Sequence, residues 1–449
     1  MLLMLLPAGC SPGPTEFVPN QLLKFRMERE LRVDLTDLAN QVQIALGDAF
    51  GSPDAPTWPS VLLKSESYRD LTDEKDLLRA SGPVGRRFDL VEVGLFRKQC
   101  AQCHGIAGDG FGPTAGLLDP YPRDFRRGTF KFKDTSYGRK PTLEDLVHTI
   151  ENGVPGTSMP AMKNLKLSKH YDDDIPVLAK YVRFLAIRGE VERELMMDTL
   201  RNLDEGELLY DPSQSRSAPE TFLKNQKRID DVIVAVAESW LSQFGAREDP
   251  DISPYSKFVK NSEFAQSNLL TESESTPAFE LRDSIERGRE LFSGGIAACA
   301  QCHGKDGTGE PKWQDFDEWT KDWTIRSGIN PMVKSEWKPL KELGLLTPVA
   351  ASPRNLTLGV FRGTTSLASI TDDPAHTISP RKSILRAVLN GLEGSPMPAA
   401  AVFPETVGGM SEDQVIDLVR YVESLSTPEV AQAKISQALS LISQGEDGK

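Results

Sequence analysis

The chain has 449 residues, 39% of them hydrophobic and 26% charged, enough for two or three packed domains. Its net charge of -13 excludes a nucleic-acid partner, because phosphate contacts need clustered Lys and Arg, and it suits docking with a basic protein. No apolar run approaches the ~18 residues of a membrane-crossing helix.

The chain opens on Met1-Leu2-Leu3-Met4-Leu5-Leu6-Pro7-Ala8-Gly9-Cys10, then turns polar at Ser11-Pro12-Gly13-Pro14. An apolar stretch, small residues and a Cys resemble the end of a bacterial lipoprotein signal. That resemblance implies lipidation of Cys10 and attachment to a membrane surface without spanning it. The basic start of such a signal is missing, and Pro7 is an unusual residue for its place. Residues 1–14 are therefore read as a signal remnant. Residues 15–86 form an N-terminal helical segment. From Lys24 to Leu46 its apolar residues (Leu31, Leu35, Leu38, Val42, Leu46) recur at helical spacing. Gly51-Ser52-Pro53 then breaks the pattern.

Two pentapeptides carry the chemistry: Cys100-Ala101-Gln102-Cys103-His104 and Cys299-Ala300-Gln301-Cys302-His303. C-x-x-C-H is the attachment signature of c-type haem. One helical turn puts residues i and i+3 on one face, so both thiols reach one porphyrin edge, and the adjacent His ligates the iron. Four of the five Cys and two of the five His lie in these pentads. A zinc half-site or a redox dithiol is the competing reading. Zinc shows no preference for the adjacent His, and no βαβ pattern surrounds either pentad. Two covalent haem c groups are expected.

The pentads sit in copies of one longer pattern. Gly94-Leu95-Phe96 and Gly288-Arg289-Glu290-Leu291-Phe292 precede them, and Gly-rich loops to Pro113 and Pro311 follow. Pro122-Arg123-Asp124-Phe125 matches Pro353-Arg354-Asn355-Leu356. A helix then runs into Asn152-Gly153-Val154-Pro155-Gly156-Thr157-Ser158-Met159-Pro160, or Asn390-Gly391-Leu392-Glu393-Gly394-Ser395-Pro396-Met397-Pro398. Helices carrying Tyr181-Val182 and Tyr421-Val422, predicted over 178–185 and 418–425, end the copies.

This order resembles class I cytochrome c. The resemblance implies an all-α fold: two cytochrome c-like helical domains, each with its first and last helices crossing, joined by a helical linker. The domains are placed at 87–188 and 282–427. The linker, 189–281, reads as helices near Glu190–Leu203 and Pro219–Phe244, and 428–449 as a tail. Pro122 follows His104 by 18 residues and Pro353 follows His303 by 50, so the second copy has about 32 extra residues. That Trp-rich insertion, 312–350, holds Trp313, Trp319, Trp323 and Trp337 and reads as a shield for the second haem rather than a docking surface.

Met159 and Met397 occupy matching places and are the expected second axial ligands. A neutral, soft thioether favours Fe(II). Met162 and Met410 are local rivals. His148, His170 and His376 read as surface or structural residues. By resemblance, the carbonyls of Pro113 and Pro311 receive the Nδ1–H of the haem His residues. With both irons six-coordinate, the chain transfers electrons and catalyses nothing alone.

The resemblance implies a carrier on the periplasmic side of a membrane, working with redox partner proteins or within a respiratory-chain complex. A dihaem cytochrome c peroxidase-like enzyme is the alternative and needs one open or His-capped iron. A cytochrome subunit of a dehydrogenase or thiosulfate-oxidising enzyme is a third reading. Arg123, Arg126, Arg127, Lys131, Lys133, Arg139 and Lys140 suggest a basic docking strip after the first haem, and an acidic stretch follows the second.

Overall fold

The computed structural model describes residues 15–133, 135, 137–164, 171–202, 207–241, 278–310, 315–360, 380–400 and 409–425. Cys10, His170, Trp313, Pro311, His376 and the tail lie outside the described residues, as does the linker from 242 to 277. Helices dominate, as an all-α fold requires. The only sheet among the described residues is an antiparallel hairpin of β1 (Gly85–Arg86) and β2 (Glu92–Val93). Two compact units emerge. One takes the described residues of 1–117, 121–128 and 170–241; the other takes those of 118–120, 129–169 and 242–449.

The first unit is built on one long helix. Its helices are α1 (Gln21–Leu31), α2 (Thr36–Phe50), α3 (Ser60–Leu63), α4 (Glu74–Ala80), α5 (Leu95–Gln99) and α6 (Ala101–His104). In chain order α7 (Leu143–Asn152) belongs to the other unit. Then α8 (Tyr171–Asn202), α9 (Gln214–Ser217) and α10 (Pro219–Leu241) return to the first. The helical spacing over 24–46 is divided between two helices, α1 and α2. Arg32 caps α1 in the left-handed region at φ 58°. Glu28 Oε1 and Asp34 Oδ1 then accept from the Leu35 and Thr36 N–H groups, which redirects the chain. Leu31 is exposed in consequence, while Leu35, Val42 and Leu46 are buried.

α8 fuses what the sequence divides. The helix expected at 178–185 and the linker helix expected at 190–203 are one, and the expected domain boundary at Gly189 falls inside it. Gly189 is helical, and its missing Cβ makes room for Arg126, whose Cα would lie 2.4 Å from such an atom. Phe184 of α8 is fully buried and meets Phe17, Phe50, Trp58 and Tyr181 at ring-centroid distances of 6.4, 5.8, 5.2 and 5.6 Å. Each such pair adds about 1 kcal/mol beyond its area. α10 also packs on α8, where Trp240 Nε1 donates to Glu190 at 2.9 Å. The N-terminal segment and α10 thus contribute to the core of this unit.

The second unit contains α7 and α11 (Ala278–Ser293), α12 (Ala300–His303), α13 (Glu318–Trp323), α14 (Lys338–Glu342), α15 (Pro380–Asn390) and α16 (Glu412–Ser424). α11 and α16 cross as the resemblance implies. The crossing is at Gly288, where a Cβ would stand 2.0 Å from the Asp417 carbonyl oxygen. Phe292 and Tyr421 meet edge-on at 5.2 Å, and Phe96 and Tyr181 make the corresponding pair in the first unit at 5.1 Å. Phe292, Leu385, Met410, Val415, Leu418 and Val422 are among the side chains of the core around this crossing. In the insertion, Trp319 and Trp323 are buried edge-to-face at 6.1 Å, a satellite cluster rather than an exposed docking surface.

Candidate functional site

Each pentad folds as a single helical turn. The His104 N–H donates to Cys100 O at 2.9 Å, and the His303 N–H to Cys299 O at 2.9 Å. A glycine stops both turns: Gly105 has φ 73° and ψ 160°, Gly304 φ 74° and ψ 161°. The following loops match bond for bond. Gly110 N–H reaches His104 O at 2.9 Å and Gly309 N–H reaches His303 O at 2.7 Å. Phe125 N–H reaches Gly108 O, and Leu356 N–H reaches Gly307 O, both at 2.7 Å. Two sequences that differ at many positions therefore build one backbone.

The imidazole acceptors differ from expectation. His104 Nδ1 lies 3.2 Å from the Arg123 carbonyl oxygen, and His303 Nδ1 lies 2.9 Å from that of Arg354. Pro113 is exposed, and Pro311 lies outside the described residues. The reason is the turn after Pro122 and Pro353. Asp124 and Asn355 cap it by accepting from the N–H two residues on, which leaves the preceding carbonyl turned toward the ring. The repeated Pro-Arg pair was the sequence signal for this acceptor. A carbonyl only accepts, so Nδ1 carries the proton and Nε2 presents a lone pair. His104 also stacks on Phe125 at 4.6 Å. Burial pulls the His104 imidazole down to about 4 and lowers His303, so both are neutral at neutral pH.

None of the four described cysteines is in a disulfide. Burial, with a neighbouring Cys, pushes the Cys100 thiol up to about 12, and burial pushes Cys299 up to about 11. Among the described residues no three His, Cys, Asp or Glu side chains converge, so neither pentad has the further ligands of a structural zinc there. Two reduced thiols on one turn, beside an imidazole with a free Nε2, are the donor set of covalent haem.

The two Met loops are also copies. Val154 N–H donates to Met159 O at 3.1 Å, and Leu392 N–H to Met397 O at 3.1 Å. Thr157 Oγ1 donates to Val154 O at 2.8 Å, and Ser395 Oγ to Leu392 O at 2.7 Å. Gly153 at φ 66° and Gly391 at φ 64° start them, and only glycine fits. A Cβ would lie 2.5 Å from Pro160 C or 2.6 Å from Ala399 N. Met159 and Met397 are half-buried. Their rivals are spent on packing: Met162 and Met410 are 5% and 0% exposed. His148 Nδ1 lies 3.0 Å from Asn152 Nδ2. His104 belongs to the first unit and Met159 to the second.

Three of the seven cations of the expected basic docking strip are held in pairs within the protein. Arg126 is buried against Asp124, with Nη2 to Oδ2 at 2.9 Å. Lys131 pairs with Asp317 at 3.7 Å, and Lys133, its side chain 4% exposed, pairs with Glu393. Burial holds the Lys133 ammonium below its ordinary value although Glu393 opposes this. Charges held in such pairs are not free to steer a partner.

Residues 93–182 match the family model described as subunit III of cbb3-type cytochrome c oxidase. No curated protein matches the chain. Among solved structures, a chain of the reducing HAO-like protein complex of Kuenenia stuttgartiensis is similar at a TM-score of 0.38 and 18% identity. That similarity covers 74% of this chain and 94% of that one. The matched segment spans α5, α6, α7 and α8 as far as Val182, and so holds the first pentad and Met159. Residues 93–182 are thus a cytochrome c domain, which carries covalently bound haem c and gives the chain an electron-transfer role.

Proposed function

We propose that the chain is a dihaem cytochrome c that passes electrons between redox partner proteins. One observation carries the second haem. The turn, glycine stop, imidazole acceptor and Met loop around Cys299-Ala300-Gln301-Cys302-His303 repeat those of the matched domain bond for bond. Cys100 and Cys103 would attach one haem, with His104 and Met159 as axial ligands. Cys299 and Cys302 would attach the other, with His303 and Met397. The pairing of Met159 with the haem of His104 rests on the order of the repeat.

When bound, haem supplies the one-electron chemistry. The chain's residues set its terms. The carbonyls of Arg123 and Arg354 orient the imidazoles and keep the proton on Nδ1. Neutral thioethers raise the potential relative to bis-His ligation. Buried Phe125 stacks on the His104 ring at 4.6 Å, and Leu356 is the buried residue at the corresponding position of the second repeat.

Covalent haem attachment and the lipoprotein-like run before Cys10 support placement on the periplasmic side, lipid-anchored to a membrane. The family model matched at 93–182 describes a respiratory oxidase subunit, which supports work beside or within such a complex. A redox titration followed by absorption and EPR spectra tests the proposal. Two low-spin haems, each with a Met-to-iron charge-transfer band, are expected. A high-spin haem that reacts with hydrogen peroxide would replace this reading with the peroxidase-like one.

A further inference from the structure

The two Met loops are each gripped by the other repeat, and at the same loop position. Pro155 and Glu393 both stand four residues before their Met. Arg354, from the second repeat, donates from Nη2 to the Pro155 carbonyl at 2.5 Å. The fit is close: a Cβ on Gly156 would lie 2.5 Å from Arg354 Nη1. In return Lys133, from the first repeat, pairs with the Glu393 carboxylate. The Gly138 N–H donates to that carboxylate at 3.1 Å. These residues all belong to the second compact unit. Arg354 does double duty, since its own carbonyl is the acceptor of His303 Nδ1.

We propose that this reciprocal clamp couples the two redox centres. A thioether is a weak neutral ligand, so its bond to iron depends on how firmly its loop is held. Arg354 and Lys133 each hold the loop of the opposite repeat. They are positioning residues: what disturbs one repeat alters axial ligation in the other. The proposal rests on the reading that Met159 and Met397 are axial ligands, so the experiment first separates the two.

In the full holoprotein, Met159→Ala and Met397→Ala should each abolish one Met-to-iron band and assign each potential to its haem. Two unaltered bands would overturn the axial assignment and the coupling with it. With assignment in hand, Glu393→Gln decides between clamp and bare charge. Losing a nearby negative charge by itself favours Fe(II) and raises the potential. A loosened Met397 loop lowers it and weakens the band, and that downward shift is the expected result. Arg354→Lys keeps the charge but loses the planar fork. It should lower the potential of the haem served by Met159, in the other repeat. A raised potential with a full band in Glu393→Gln, together with an unshifted Met159 haem in Arg354→Lys, would overturn the proposal.

Discussion

His104 and His303 are set by backbone rather than by side chains, because the acceptor of each Nδ1–H is the carbonyl of an arginine two residues before a Phe or Leu. Side-chain replacement at Arg123 or Arg354 therefore leaves the acceptor in place. The charged neighbours of that turn are a different matter. Arg126 and Asp124 are 4% and 2% exposed and share three hydrogen bonds or ion contacts within 3.0 Å. Arg126→Leu strands a buried carboxylate and should cost about 3–5 kcal/mol. Arg69→Leu breaks the exposed i,i+3 pair with Glu66 and should stay within about 0.5 kcal/mol. Urea unfolding of the two variants against the parent checks both. Equal losses would contradict the burial argument.

At the scale of elements, the α11–α16 crossing depends on one missing Cβ. Gly288→Val must drive the helices apart at the Asp417 carbonyl and should cost about 1–3 kcal/mol or more. Gly295→Ala has open space around it and is the neutral control. Thermal unfolding followed by circular dichroism would show the difference. Trp323→Ala, at a fully buried position of the insertion, should cost about 3–5 kcal/mol on the same measurement. The crossing was legible because Phe292 and Tyr421 have counterparts in Phe96 and Tyr181 in the same order along the chain. The fusion of two expected helices into α8 was not. Gly189 reads locally as a break, and only the approach of Arg126, 63 positions earlier in the chain, explains why a glycine is helical there. The Nδ1 acceptor was half legible. Pro122-Arg123 and Pro353-Arg354 stood out as repeats, but a carbonyl's direction is decided by the Asx cap that follows it. The split of α1 from α2 likewise depends on side-chain caps that hydrophobic spacing does not encode.

For the whole molecule, the net charge of -13 hides a specific internal use of lysine. A solvated basic strip would change the salt dependence of partner binding when its charges are reversed. A clamp would change stability instead. Lys133→Glu faces Glu393 with a second carboxylate and should cost about 3 kcal/mol or more in urea unfolding. The ionic-strength slope of electron transfer should stay as in the parent. A changed slope at unchanged stability would restore the docking reading. The duplicated backbone underlies the proposal that one attachment site is built twice in one chain, the second copy lying outside the segment matched at 93–182. The intact mass of the purified holoprotein under denaturing conditions tests that proposal most directly. Two haem masses on the polypeptide are expected, falling to one in Cys299→Ala/Cys302→Ala. A single haem on the unsubstituted chain, or two retained after that change, would contradict it.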